Sequence, residues 1–141
     1  MRKILILILT LIVSTTFAIA QKTIKVSAPF AMPEVTLPSI PDNHVDLTTF
    51  GAKGDGATIC TDAFAQAMSA LEKMGGGHLN VPAGIWLTGP IQFASKVDLH
   101  VERGALVLFT TDYDAYPEVT TIYEGNTSTR KMAPLWAYEV D

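Results

Sequence analysis

The chain has 141 residues and a single cysteine, Cys60, so no internal disulfide can form. No basic cluster is longer than the pair Arg130-Lys131. Nucleic acid demands a concentrated basic footprint, so no nucleic-acid partner is expected. Three glycines crowd into positions 51, 54 and 56, yet neither G-x-G-x-x-G nor G-x-x-x-x-G-K-[ST] is present. The loop is tight and multi-turn but lacks the pattern of a phosphate cradle. The three histidines, His44, His78 and His100, share no metal-ligand spacing. They read as surface or edge residues, and no metal or other cofactor is expected. Cys60 reads as a small buried apolar residue near a helix start, because nothing near it in sequence would activate a nucleophile.

What is present begins with a leader. Met1-Arg2-Lys3 is a positive start, Ile4 to Val13 is apolar except for Thr10, and Ala18-Ile19-Ala20 supplies small residues at both positions a signal peptidase reads. That order describes a secretory signal peptide over residues 1–20. As a membrane anchor, Ile4 to Ala20 is at the short limit for spanning a bilayer and has no basic stop after it. Export to the periplasm or the extracellular space is expected, with no membrane association after cleavage. Loss of Arg2 and Lys3 with the leader leaves 8 basic against 14 acidic residues, a net charge of −6.

Residues 21–44 carry Pro29, Pro33, Pro38 and Pro41. Each proline fixes φ and biases the preceding residue to extended geometry, so this segment reads as an extended arm. Phe30, Val35, Leu37 and Ile40 give it apolar surface to bury. From about Thr61 to Met74 one helix is expected. Phe64, Ala67, Met68, Leu71 and Met74 form its apolar stripe at i, i+3, i+4, i+7 and i+10. Thr61 or Asp62 suits the N-cap, and Gly75 suits a left-handed stop. Short strands follow at His78–Val81, Ile85–Thr88, Ile91–Phe93, Val97–Val101 and Ala105–Phe109, split by Gly, Pro and polar turns. They are too short and evenly spaced for alternating βαβ units. A sandwich, a barrel and a β-solenoid all fit, and periodicity does not choose among them.

Asp112 and Asp114 form a close carboxylate pair directly after the strands. Two carboxylates flanking a sugar bond would hydrolyse it, but an acidic stretch with Tyr and Pro is also ordinary turn material. Asn126-Thr127-Ser128 fits a glycosylation sequon, which matters only in a eukaryotic source.

Beyond these local readings, Phe50 to Gly56 resembles the opening of many right-handed parallel β-helix proteins that act on polysaccharide. Gly75 to Ile91 and Ser95 to Tyr116 are similar to glycoside hydrolase family 28, the polygalacturonases and rhamnogalacturonan hydrolases. Tyr123-Glu124-Gly125, Thr129-Arg130-Lys131 and Pro134-Leu135 continue the resemblance, which covers about residues 33–141. It implies an all-β fold, a right-handed parallel β-helix with an N-terminal capping α-helix. The expected organisation is a signal peptide at 1–20, the arm at 21–44 and the first coils of the β-helix at 45–141.

The resemblance also implies an activity, hydrolysis of α-1,4-galacturonosyl linkages with inversion, and a partner, pectic polysaccharide or oligogalacturonide. Family members carry catalysis on Asn-Thr-Asp, Asp-Asp, Gly-His-Gly and Arg-Ile-Lys motifs. None of the four occurs in this sequence. No catalytic residue is therefore carried over, and the chain is expected to be an inactive N-terminal piece of a longer enzyme. An anionic substrate calls for basic side chains, and Arg130, near Glu124, is the candidate substrate-binding pair. The bland reading of the two is an ion pair anchoring a loop. Two rivals stand beside this: a non-catalytic polysaccharide-binding β-helix module, such as a tailspike would use, and a pectate lyase cleaving by β-elimination with Ca²⁺.

Overall fold

A computed structural model describes residues 22–140 of the protein. The expected signal peptide lies outside the described residues. The chain divides into two units, the first ending at Ser39 and the second opening at Ile40. In the first, strands β1 (Thr23–Ile24) and β2 (Val35–Thr36) pair antiparallel, and Lys25 Nζ meets Glu34 Oε1 at 3.4 Å.

The second unit is a stack of parallel strands. One ladder runs through β3 (His44–Asp46), β5 (Gly77–Val81) and β8 (Val97–Val101). A second runs through β4 (Asp55–Ile59), β6 (Gly84–Thr88) and β9 (Ala105–Phe109). A third pairs β7 (Ile91–Gln92) with β12 (Leu135–Trp136), also parallel. Between them β10 (Glu118–Tyr123) and β11 (Asn126–Lys131) form an antiparallel hairpin. Consecutive strands in sequence thus lie in different sheets, and each sheet is completed by the next turn of the chain. That is a right-handed parallel β-helix, the solenoid among the three architectures left open by periodicity. Five expected strands are found, two of them one residue longer at the glycine end and β7 one residue shorter.

The second unit opens five residues before the expected start at Val45, because Asn43 is already built into it. Its side-chain amide donates to the carbonyls of Met74 (3.2 Å) and Gly76 (2.9 Å), while its own carbonyl accepts from His78 N–H at 2.7 Å.

Helix α1 (Thr61–Lys73) buries Ala63, Phe64, Ala67, Met68 and Leu71 against the first coil, where Leu47, Leu79, Val81, Trp86 and Ile91 complete the core. It closes the start of the stack, as terminal solenoid repeats require. Two expectations need correction. Met74 lies past the helix end and is 46% exposed, so it is not part of the buried stripe. Neither Thr61 nor Asp62 is the N-cap. Cys60 holds that position without a side-chain bond, because the Thr61 hydroxyl instead accepts from Gly89 N–H at 2.7 Å, tying the helix to β6 and β7. Asp62 sits in the first turn, where the helix dipole favours it.

The helix stop is as expected. Gly75 takes φ +84°, Gly75 N–H bonds Glu72 O, and Gly76 N–H bonds Leu71 O, the paired bonds of a Schellman turn. The next two glycines are required by close approach. A Cβ on Gly76 would stand 2.4 Å from Lys96 O, and one on Gly77 2.4 Å from Asn43 O. Cys60 is buried at the helix start, as its type suggests.

Candidate functional site

The candidate pair Arg130 and Glu124 falls on the β10–β11 hairpin. Glu124 and Gly125 form its two-residue turn with φ of +51° and +81°, the left-handed pair that matches strand twist. Arg130 sits opposite Val119 in β11. Among the described residues no ion pair joins Arg130 to Glu124, so the loop is not anchored that way. The guanidinium lies instead over the Tyr123 ring, 3.5 Å from its centroid. Lys131 Nζ lies 4.8 Å from the centroid of Tyr113. Arg130 and Lys131 are successive strand residues, so the two cation–aromatic contacts lie on opposite faces of the hairpin. A cation seated on a ring face keeps its N–H groups free for an anion, and the ring offers a flat apolar surface beside it.

Asp112 and Asp114 are in one turn. Asp112 caps the 3₁₀ segment Tyr113–Ala115, its carboxylate accepting from Asp114 N–H at 3.0 Å. A carboxylate already used to fix its own turn is poorly placed to flank a sugar bond. These two aspartates do not form an acid–base pair across a substrate.

A groove of about 550 Å³ runs along the outer side of α1, between Ser69, Phe93, Met132 and Tyr138. Its charged lining is Glu72 and Glu139, with no lysine or arginine. It therefore repels a polyanion, and the hairpin is the better candidate surface.

The solvent face of the β3–β5–β8 sheet holds residues that spacing alone did not connect. Register places His44 beside His78, and His78 beside Asp98. The two imidazoles stack with centroids 4.8 Å apart, and Asp42 joins them through a 2.8 Å contact with His44 Nε2. His100 is in the neighbouring column, opposite Asn80. There the Asn80 amide donates to Asp46 Oδ2 (3.3 Å) and Glu102 Oε1 (2.9 Å). The Thr48 hydroxyl holds the Asp46 carboxyl below its ordinary value, with burial opposing. The sequence signal for these columns is the offset between parallel strands, 34 residues from His44 to His78 and 20 from His78 to Asp98. It becomes readable only once the solenoid is assumed.

No family profile matches the chain. A probable polygalacturonase of Vitis vinifera is 42% identical over 80 residues, 55% of this chain and 16% of that protein. The solved exopolygalacturonase of Thermotoga maritima superposes with a TM-score of 0.66 at 42% identity, covering 71% of this chain and 22% of that one. The family 28 exopolygalacturonase of Yersinia enterocolitica gives 0.64 at 27% identity, covering 77% and 19%. The chain thus spans less than a quarter of the length of each relative.

Proposed function

We propose, for a chain whose sequence and fold are those of glycoside hydrolase family 28, that it is the N-terminal part of an exported pectin-degrading hydrolase. The observation that carries this is the parallel coil stack, which superposes on the solved exopolygalacturonase of Thermotoga maritima over 71% of this chain at 42% identity. In the parent enzyme the reaction is hydrolysis of α-1,4-galacturonosyl linkages with inversion. That chemistry needs one carboxylic acid on the leaving oxygen and one carboxylate activating water on the far face. Neither is supplied here, because Asp112 and Asp114 share a turn. The exo mode named for the solved relatives is carried over to the parent enzyme as part of this proposal.

The role of this chain's own residues is to start the solenoid and to present the hairpin. Arg130 pairs with a galacturonate carboxylate, Tyr123 beneath it gives a sugar ring an apolar face, and Glu124 at the tip accepts from sugar hydroxyls. Export fits a polymeric substrate that lies outside the cell, and no helix of the described residues is long and apolar enough to cross a membrane. Mass spectrometry of exported protein should place Gln21 at or within a few residues of the new N-terminus; an intact Met1 in a membrane fraction would refute export.

A reducing-sugar assay on polygalacturonate tests the enzymatic reading. The 141-residue chain should release nothing, while a version extended through the downstream reading frame should be active. Activity of the short chain that is abolished by Asp112→Asn would overturn the assignment of that turn. An extended chain that binds polygalacturonate without cleaving it would favour the non-catalytic binding module. Unsaturated, ultraviolet-absorbing products would favour the lyase.

A further inference from the structure

We propose that Asp42, His44 and His78 form a binding site for a divalent transition-metal ion, with Asp98 as the positioning residue behind His78. The site is independent of the pectin reading and belongs to a different sheet from the hairpin residues.

The donors come from two successive turns of the solenoid. His44 is on β3 and His78 on β5, paired in register, and Asp42 lies two residues before the start of β3. One ligand atom from each of the three lies within 4.8 Å of the others. His44 Nε2 and Asp42 Oδ1 are 2.8 Å apart. That contact is a hydrogen bond with the carboxylate accepting, and an ion would take the place of its proton: two ligand atoms each about 2.0–2.1 Å from one ion stand roughly 2.8–3.4 Å apart, so the exchange needs little movement. The His44 and Asp42 side chains are 64% and 97% exposed, leaving them free to turn toward a shared ion.

The second observation is the state of His78. Its Nδ1 is 2.9 Å from Asp98 Oδ2, on the adjacent strand β8. A carboxylate accepts, so this contact selects the Nδ1–H tautomer of a neutral His78, in which Nε2 is the ligand atom. A carboxylate behind an imidazole, fixing its tautomer and aiming its other nitrogen, is the usual outer shell of a metal-ligating histidine. Two carboxylates, Asp42 and Asp98, also place negative charge beside the two imidazoles, which suits a dication. Imidazole with carboxylate favours Zn²⁺, Cu²⁺ or Ni²⁺ over Ca²⁺ or Mg²⁺, which take oxygen donors. Three protein ligands leave water to complete the coordination. The ion would clip β3 to β5, the first two rungs of the ladder.

The test is calorimetric titration of ZnCl₂ into the 141-residue chain, with Cu²⁺ electron paramagnetic resonance as a second readout. One equivalent should bind, and the Cu²⁺ signal should show coupling to two nitrogens. His44→Ala and Asp42→Asn should each weaken Zn²⁺ binding at least about tenfold, through loss of a ligand on an exposed side chain. Asp98→Asn should weaken it by about 10–100-fold and alter the Cu²⁺ spectrum while the far-ultraviolet circular dichroism is unchanged. His100→Ala should change nothing. Should His78→Ala unfold the chain, His44→Ala, whose side chain is mostly in solvent, decides the matter. No saturable binding at 100-fold excess Zn²⁺, binding indifferent to His44→Ala, or binding lost equally with His100→Ala would each overturn the site.

Discussion

At the scale of the residue, the side chains that matter most are those with two partners far apart in sequence. Asp55 is a local exception and gives a clear electrostatic prediction. Its carboxylate accepts first from Thr58 N–H, then from Ala57 N–H, and also from the Thr58 hydroxyl, which lowers its pKa from 3.8 to about 2. A depressed folded-state value stabilises the fold at every pH above the unfolded value. That contribution is lost as pH falls from about 4 through about 2. Asp55→Asn should therefore flatten the stability curve in that window and leave its shape above pH 5 unchanged. Acid titration followed by circular dichroism measures this; identical curves for the two proteins would show that the Asp55 turn contributes nothing.

Arg130 supplies the residue-scale prediction for binding. Its guanidinium is stacked on Tyr123 rather than paired with an acid, so it is available to an anion. Arg130→Ala should weaken oligogalacturonate binding by about two- to fivefold, the range of exposed ion pairs, and the effect should shrink as salt is raised. A Thr127→Ala variant on the same hairpin is the control. If both variants bind alike in a fluorescence titration, the hairpin is not the contact surface.

At the scale of the element, α1 is where sequence and structure agree most closely. Phe64, Ala67, Met68 and Leu71 were readable from periodicity alone, and all four are buried. Phe64→Ala should cost about 3–5 kcal/mol of stability, against less than about 0.5 kcal/mol for Ser69→Ala. Denaturant melts that moved together for the two variants would mean the helix does not cap the stack. What periodicity could not reveal was tertiary recruitment. Thr61 is a good cap residue, but Gly89, 28 residues away, takes its hydroxyl. Strand positions were likewise legible from Pro, Gly and Asn/Asp/Ser punctuation, while their partners were not. Spacing among His44, His78 and His100 carried no metal signal, because the parallel register of β3, β5 and β8, not the interval in sequence, sets which side chains meet. The hairpin itself was not read from the sequence, where family resemblance singled out only some of its residues, and its cation–aromatic contacts depend on side-chain placement that no motif encodes.

At the scale of the molecule, the ladders leave a surface with a consequence. Among the described residues β8 hydrogen-bonds only to β5 and β9 only to β6, so each presents an unpaired edge. The exposed face of β9 is apolar as well: Leu106 is 53% and Leu108 44% exposed, beside Ile85 and Ile59 on the strands below. Unpaired N–H and C=O groups next to aliphatic side chains template pairing with another chain unless charge or a bulge blocks them. The nearest charges in sequence, Glu102 and Arg103, precede β9 and lie off that row. The 141-residue chain should therefore self-associate with rising concentration. Leu106→Lys and Leu108→Lys, which leave the partly buried Ala105, Val107 and Phe109 side untouched, should shift it back toward monomer. Sedimentation velocity across a hundredfold concentration range reads the outcome directly. A chain that sediments as a monomer throughout, or variants that associate as strongly as the parent, would mean that this edge is shielded by the chain itself.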